Sequence, residues 1–120
     1  MYIKEIGQKS LISKEEMESD YRDMMYLAYN MFSKLGCDYQ GKWNWDGNVW
    51  KVSMYDDSNK LLGRVYLRKT YVGVEIDAKR DISAIEHIPH GYRKCDKRYS
   101  FLNNKEMADL EPLIEWLKAY

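Results

Sequence analysis

The sequence is poor in several features that mark particular classes of protein. Its two cysteines, Cys37 and Cys95, are too few for a disulfide framework, so both thiols are expected to be free in a reducing compartment. No apolar stretch approaches the length of a membrane span, and the first ten residues lack the apolar run of a signal peptide. These absences predict a cytoplasmic protein without membrane association.

The chain also lacks an excess of charge of either sign. Its 19 basic and 19 acidic residues give a formal net charge of zero, which does not indicate a strongly basic nucleic-acid binder. Residues 64–98 are the exception, because they carry nine basic and five acidic side chains. This stretch therefore has a mild excess of positive charge.

Repeats, low-complexity runs and a glycine-rich phosphate loop are likewise missing. What remains is a chain of 120 residues, 45% apolar and 32% charged, which is the size and composition of one folded domain. We expect a single domain over residues 1–120.

An apolar stripe near the N-terminus predicts a long helix. Ser13 and Glu16 have the spacing of a capping box, in which each side chain bonds the other residue's backbone amide. Gly36 is suited to end the helix. The apolar residues between them recur every three or four positions, at Met17, Tyr21, Met24, Ala28, Met31 and Leu35.

A tryptophan-rich hairpin follows the helix. Asp46 and Gly47 lie between β-forming segments and predict a two-residue type I′ turn. That register pairs Trp43 with Trp50. Because side chains alternate along a strand, the face toward the helix then carries Trp43, Trp45, Trp50, Val52 and Met54.

Alternating patterns predict further strands at 61–68, 71–77 and 99–102, and a loop at 90–98. Alternation puts Val65 and Leu67 together on one side of the first of these strands and points Val72, Val74 and Ile76 of the second inward. A short helix is expected at 81–87. A final helix is expected at 110–119, with Asp109 as its N-cap. The fold class is thus α+β, an antiparallel β-meander of four to five strands with a long N-terminal helix and a C-terminal helix packed on one face.

This element order resembles that of small bacterial MmcQ/YjbR-like and YdhG-like domains, and of related families of unknown function. The resemblance rests on the helix, the hairpin, the strand pair LLGRVYLRKTYVGVEI at 61–76 and the closing helix LIEWLKAY at 113–120. A YjbR-like fold implies a possible DNA-binding role. The resemblance carries over no functional residue.

One candidate for chemistry lies in the segment 87–95. His87, His90 and Cys95 are ligand types that zinc prefers, and Cys95 has basic neighbours that favour a thiolate. The segment lacks the paired spacing of a zinc motif and supplies only three ligands. A small metal- or thiol-dependent enzyme is therefore the alternative hypothesis, and no cofactor is predicted.

The leading hypothesis is a non-enzymatic binding module. Cations that neutralise phosphates, interleaved with rings on which bases stack, are typical of nucleic-acid binding, but the same residues are enriched at protein interfaces. The partner class stays open at this point, and a homo-oligomer is a third alternative. The residues predicted to bind the partner are Lys51, Tyr55, Arg64, Tyr66, Arg68, Tyr71, Arg93, Lys94, Lys97 and Arg98.

Overall fold

Alternating residues in the middle of the chain form long strands, and apolar stripes near both ends form helices. A computed structural model describes residues 1–5, 10–77, 79–80 and 92–118. The strands are β1 (Tyr2–Lys4), β2 (Leu11–Ile12), β3 (Trp43–Trp45), β4 (Trp50–Tyr55), β5 (Leu61–Leu67), β6 (Val72–Asp77), β7 (Tyr92–Cys95) and β8 (Arg98–Asn104). The helices are α1 (Arg22–Lys34) and α2 (Met107–Lys118), and a 3₁₀ turn at Ser19–Tyr21 precedes α1.

The eight described strands belong to one antiparallel sheet. Their order is β2-β3-β4-β5-β6-β8-β7, and β1 pairs with the end of β4 that β3 leaves free. The α+β class is confirmed, but the prediction of four to five strands is wrong. β1 and β2 are only two or three residues long, which is too short for alternation to be visible in the sequence.

The third missed strand is β7, which occupies four residues of the loop expected at 90–98. It is the edge strand beside β8, and edge strands in native proteins often carry charged residues. Its polar sequence therefore resembles a loop. Tyr92 anchors it, because its ring stacks on Tyr99 with centroids 6.2 Å apart and also contacts Phe101.

The first helix is shorter than predicted. Ser13 and Glu16 do bond each other, with Ser13 N and Oγ donating to the Glu16 carboxylate at 3.2 and 2.8 Å. They form an isolated turn, however, and α1 begins only at Arg22. Only half of the capping box forms, because the Glu16 amide donates to the Ser13 carbonyl at 3.2 Å and not to the Ser13 hydroxyl.

The hairpin between β3 and β4 has a register that differs from the prediction by two residues. Trp45 pairs with Trp50, and the turn centres on Gly47 and Asn48, with Gly47 at φ +96°. The Asp46 carboxylate accepts from the amides of Asn48 and Val49, both at 2.9 Å. Asp46 therefore stays outside the left-handed region that a type I′ turn at Asp46-Gly47 would require.

A shift of two residues leaves the faces of the sheet unchanged. The apolar positions predicted to point inward on β4, β5 and β6 are buried, among them Val52, Val65 and Val74. α1 contacts β5 and β6, and α2 contacts β8 and α1. Both helices therefore share one hydrophobic core with this inner face.

The C-terminal helix is longer at its start than predicted. α2 begins at Met107, and the Asp109 carboxylate accepts from the amides of Lys105 and Glu106 at 2.9 and 3.1 Å. Asp109 thus caps from inside the first turn rather than from the N-cap position. The short helix predicted at 81–87 lies outside the described residues. Neither described helix is long and apolar enough to span a membrane.

Candidate functional site

The outer face of the sheet, opposite the helices, carries a row of polar residues across four strands. Cross-strand pairing aligns Arg64 on β5 with Glu75 on β6, Ser100 on β8 and Arg93 on β7. Although neither α1 nor α2 lies on this face, Glu75 is only 9% exposed and Ser100 is also buried. Larger side chains therefore surround these two positions and leave a depression between them.

The depression is an open cleft of about 390 Å³, which is within the usual size of a small ligand site. One side is formed by the β3–β4 turn and the β5–β6 turn, and the other by the hairpin of β7 and β8. The cleft is lined by Asp46, Asn48, Val49, Tyr66, Arg68, Tyr71, Glu75, Arg93, Cys95, Arg98, Ser100 and Leu102.

Glu75 is the centre of the hydrogen bonding in this cleft. Its Oε2 accepts from the Tyr66 hydroxyl at 2.6 Å, and its Oε1 lies 3.4 Å from Arg98 Nε. Burial raises the pKa of Tyr66, and the hydrogen bond to Glu75 raises that pKa further. Tyr66 therefore remains a neutral donor, and the carboxylate holds Arg98 against the sheet.

The arginines of the cleft differ in how far they are compensated. Arg98 is paired with Glu75 but is still 52% exposed. Arg68 Nη1 donates to the carbonyl of Asn48 at 3.4 Å. Arg93 is exposed and, among the described residues, has no acidic partner. Of the three guanidinium groups in the cleft, those of Arg68 and Arg93 thus have no ion pair with a described residue.

Asp46 is the second carboxylate of the cleft, and its oxygens already have partners within the protein. Asp46 binds the turn amides and lies 3.3 Å from Lys51 Nζ. Burial acts to raise the pKa of Asp46, but the backbone hydrogen bonds and Lys51 together outweigh it and lower that pKa. Lys51 therefore lies at the rim of the cleft and is engaged with Asp46.

A smaller cavity of about 190 Å³ adjoins the cleft. The two cavities share Glu75 and Arg98, and the smaller one is also lined by Arg64 and Lys97. Cationic side chains consequently continue across the outer face from Arg68 to the β7–β8 turn.

Seven of the ten residues predicted to bind a partner line one of these two cavities, and Lys51 lies at the rim. Tyr55 is elsewhere, at the far end of β4, where Lys4 Nζ lies 5.3 Å from its ring centroid. Lys94 is on the opposite face of β7, with its Nζ 5.5 Å from the ring centroid of the buried Tyr99. The seven that line a cavity are Arg64, Tyr66, Arg68, Tyr71, Arg93, Lys97 and Arg98.

Sequence reasoning missed Glu75 and Ser100 as parts of the site. On β6, the outward positions that pair with Arg64 and Tyr66 are Glu75 and Gly73. Because Glu75 is acidic, the sequence alone indicated only that it reduces the positive charge of this face. Ser100 and Gly73 are small residues at outward positions of central strands. Small outward residues between large ones are a signal for a depression, but it is readable only when strand pairing is known.

Of the three residues named in the thiol and metal hypothesis, one lies within the described part of the chain. Cys95 lines the cleft, whereas His87 and His90 lie outside the described residues. Cys37 belongs to the core on the other face, donates to the carbonyl of Met1 at 3.3 Å, and has its thiol pKa raised by burial. Within the described ranges, no group of three or more His, Cys, Asp or Glu side chains could hold a metal ion.

We expect Tyr66→Phe to lower the free energy of unfolding by about 1–3 kcal/mol, because a nearly buried carboxylate loses its shortest hydrogen bond. Urea unfolding at pH 7 measures this. Tyr71→Phe is the matched control, because the Tyr71 hydroxyl has no hydrogen bond with any described residue. Equal stabilities of the two variants would contradict the role assigned to Tyr66.

The same pair of variants tests the ionisation of Tyr66. A raised folded-state pKa favours the neutral form, so this stabilisation is complete below the usual tyrosine pKa and is lost as pH rises through the folded value. We expect the difference between wild-type and Tyr66→Phe absorbance at 295 nm to develop only above the ordinary tyrosine range.

Comparison of the chain with protein-family models, with curated proteins and with solved structures gives no match. The resemblance to MmcQ/YjbR-like and YdhG-like domains therefore stays a prediction from the sequence.

Proposed function

We propose that this protein is a non-enzymatic binding module that uses the outer cleft to bind a macromolecular partner carrying anionic groups. The observation that carries the proposal is the set of arginines around Glu75. Arg98 is oriented by the Glu75 carboxylate, while Arg68 and Arg93 approach the same cleft without acidic partners among the described residues. Guanidinium groups bind phosphate and carboxylate oxygens through paired hydrogen bonds.

The cavities also support a ligand that extends beyond a single anion. The cleft and its smaller neighbour share Glu75 and Arg98 and carry cations at both ends. A chain with repeated negative charges could contact Arg68 or Arg93 in the first cavity and Arg64 or Lys97 in the second. Such a contact gains from the release of counterions and weakens as salt rises.

Tyrosines in the cleft favour single-stranded nucleic acid over an acidic protein segment. Tyr71 is half-buried in the wall of the cleft, and its hydroxyl has no hydrogen bond with any described residue, so the exposed part of its ring is available for stacking. Stacking of a base on an aromatic ring contributes roughly 1–3 kcal/mol. The cleft volume of about 390 Å³ is large enough to admit a base beside the arginines.

We expect Arg93→Gln to weaken binding of a fluorescently labelled single-stranded oligonucleotide roughly tenfold at low salt, because one charged contact is lost. Anisotropy titrations at two salt concentrations should also show that the slope of log affinity against log salt concentration becomes less steep by about one. Arg68→Gln should act in the same direction.

Lys94→Gln is the matched control for this experiment. Lys94 is the next residue on the same strand and loses the same charge, but it lies on the opposite face. If Lys94→Gln weakens binding as much as Arg93→Gln does, the loss reflects overall charge and the cleft is not the binding site. Tighter binding of an acidic peptide than of the oligonucleotide would assign the cleft to a protein partner.

A further inference from the structure

We propose that a second site, on the inner face at the opposite edge of the sheet, binds a quaternary ammonium group. The site is a shallow groove of about 450 Å³ at the end of β3 and β4. We call it the tryptophan groove, and it is lined by Ser10, Ile12, Glu18, Trp45 and Trp50. It shares no lining residue with the outer cleft, so this inference is independent of the function proposed above.

Aromatic rings form the base of the tryptophan groove. Trp45 and Trp50 are paired directly across the β3–β4 ladder, with ring centroids 5.0 Å apart and an angle of 54° between the rings. Trp50 is 7% exposed and is held by the core, whereas Trp45 is half-buried and keeps ring surface accessible. The faces of indole rings carry negative electrostatic potential and attract cations more strongly than other aromatic side chains do.

A carboxylate provides the second feature that selects a cation. Glu18 is exposed at the rim, and its carboxylate has no ion pair within the described part of the chain. The surrounding segment 13–23 carries five acidic and two basic side chains. Asp20 of this segment is paired with Lys69 at 3.6 Å, and the remaining acidic side chains of the segment still outnumber its basic ones.

The composition of the groove distinguishes between kinds of cation. Ile12 and the two tryptophans are apolar, so few acceptors besides Glu18 and Ser10 are close to a bound group. A primary ammonium or a guanidinium group has several N–H donors that lose water on entering such a site. A quaternary ammonium group has no donors, and its methyl groups can pack on the rings while its charge is attracted by them.

The groove is preorganised by the backbone around it. Ser10 accepts a hydrogen bond from the amide of Trp45 at 3.2 Å, which extends the pairing of β2 with β3 toward the groove. Glu18 accepts from the amide of Tyr21 at 3.0 Å through its carbonyl, within the turn that leads into α1. The positions of Trp45 and of Glu18 are thus set by main-chain contacts rather than by the ligand.

The test is a titration of the full chain with choline chloride, followed through the indole N–H signals of the tryptophans by NMR at constant ionic strength. We expect choline to shift the signals of Trp45 and Trp50. The neutral isostere 3,3-dimethylbutan-1-ol and methylammonium should each bind at least about tenfold more weakly. A peptide carrying one trimethyl-lysine, titrated in parallel with its unmodified form, shows whether a protein side chain or a small molecule fits better.

Two variants locate the site. Trp45→Leu should weaken choline binding about tenfold, and Glu18→Gln, which alters only an exposed side chain, should weaken it about threefold. The proposal is overturned if choline shifts no indole signal, if the neutral isostere binds equally well, if methylammonium binds as tightly, or if neither variant changes the affinity.

Discussion

Replacing Gly63 by alanine is expected to destabilise the protein by about 3 kcal/mol, at the upper end of the range for overpacking. A β-carbon at Gly63 would lie 1.9 Å from the carbonyl oxygen of Glu75 and 3.1 Å from the Cα of Ile76. These are backbone atoms of the neighbouring strand, so no side-chain rotation can relieve the contact. β5 and β6 would have to separate at this point.

The local geometry explains why the strands approach so closely there. The pairing of β4 with β5 shifts beside Gly63, where Leu62 is inserted as an extra residue and forms a bulge. Glycine is commonly found at such positions because the backbone of a neighbour comes near. Movement of β6 would also displace the backbone of Glu75, so oligonucleotide binding should fall together with stability.

Gly73→Ala is the matched control for this prediction. Gly73 is also in a strand of the same hairpin, but its β-carbon would meet only side-chain atoms, at 3.4 Å from Leu102 and 3.5 Å from Tyr66. We expect a change in the free energy of unfolding of less than about 1 kcal/mol. Denaturant titrations of both variants measure their free energies of unfolding. Similar losses of stability for the two would refute the importance of the close approach between β5 and β6.

Trp43→Ala is expected to lower the free energy of unfolding by about 3–5 kcal/mol, the range for removing a large buried aromatic side chain. Trp43 is fully buried, stacks on Phe32 with centroids 6.2 Å apart, and meets Tyr29 edge-on. Its Nε1 also donates to the Tyr29 hydroxyl at 3.0 Å. Its removal leaves a cavity between α1 and the sheet and an unpaired hydroxyl.

Two further variants separate the parts of this effect. Trp43→Phe keeps a ring against Phe32 but loses the hydrogen bond, so its effect should be smaller than that of Trp43→Ala. Trp45→Ala removes a half-buried ring from the same strand and should cost less than Trp43→Ala. A loss below about 1 kcal/mol for Trp43→Ala would contradict the placement of this ring in the core.

The inner and outer faces of the central strands were predictable from the sequence. Val65, Leu67, Val72, Val74 and Ile76 were expected to point inward, and all are fully buried. Alternation determines the face of a residue whichever strand pairs with it. For the same reason the error of two residues in the hairpin register left every side chain on its predicted face.

The number of strands and the start of α1 were not predictable in the same way. A strand of two or three residues carries too little alternation to be recognised, and the edge strand β7 is polar. At Ser13 and Glu16 one of the two expected capping hydrogen bonds forms, from the Ser13 amide to the Glu16 carboxylate, whereas the Ser13 hydroxyl donates to that carboxylate. A short-range motif of this kind stabilises a turn, but it does not determine whether a helix continues from it.

For the outer cleft, the sequence predicted which residues share a face but not which side chains contact one another. The sequence alone determined that Arg64, Tyr66 and Arg68 on β5 would share the face opposite Val65 and Leu67, because side chains alternate along a strand. Only the tertiary structure decided that Glu75 meets Tyr66 and Arg98, that Arg93 lies on the cleft side while Lys94 lies on the other, and that Tyr55 is remote. These contacts join residues on different strands. Pairing between distant segments depends on the balance of core packing and backbone hydrogen bonds over the whole sheet, which no local pattern encodes.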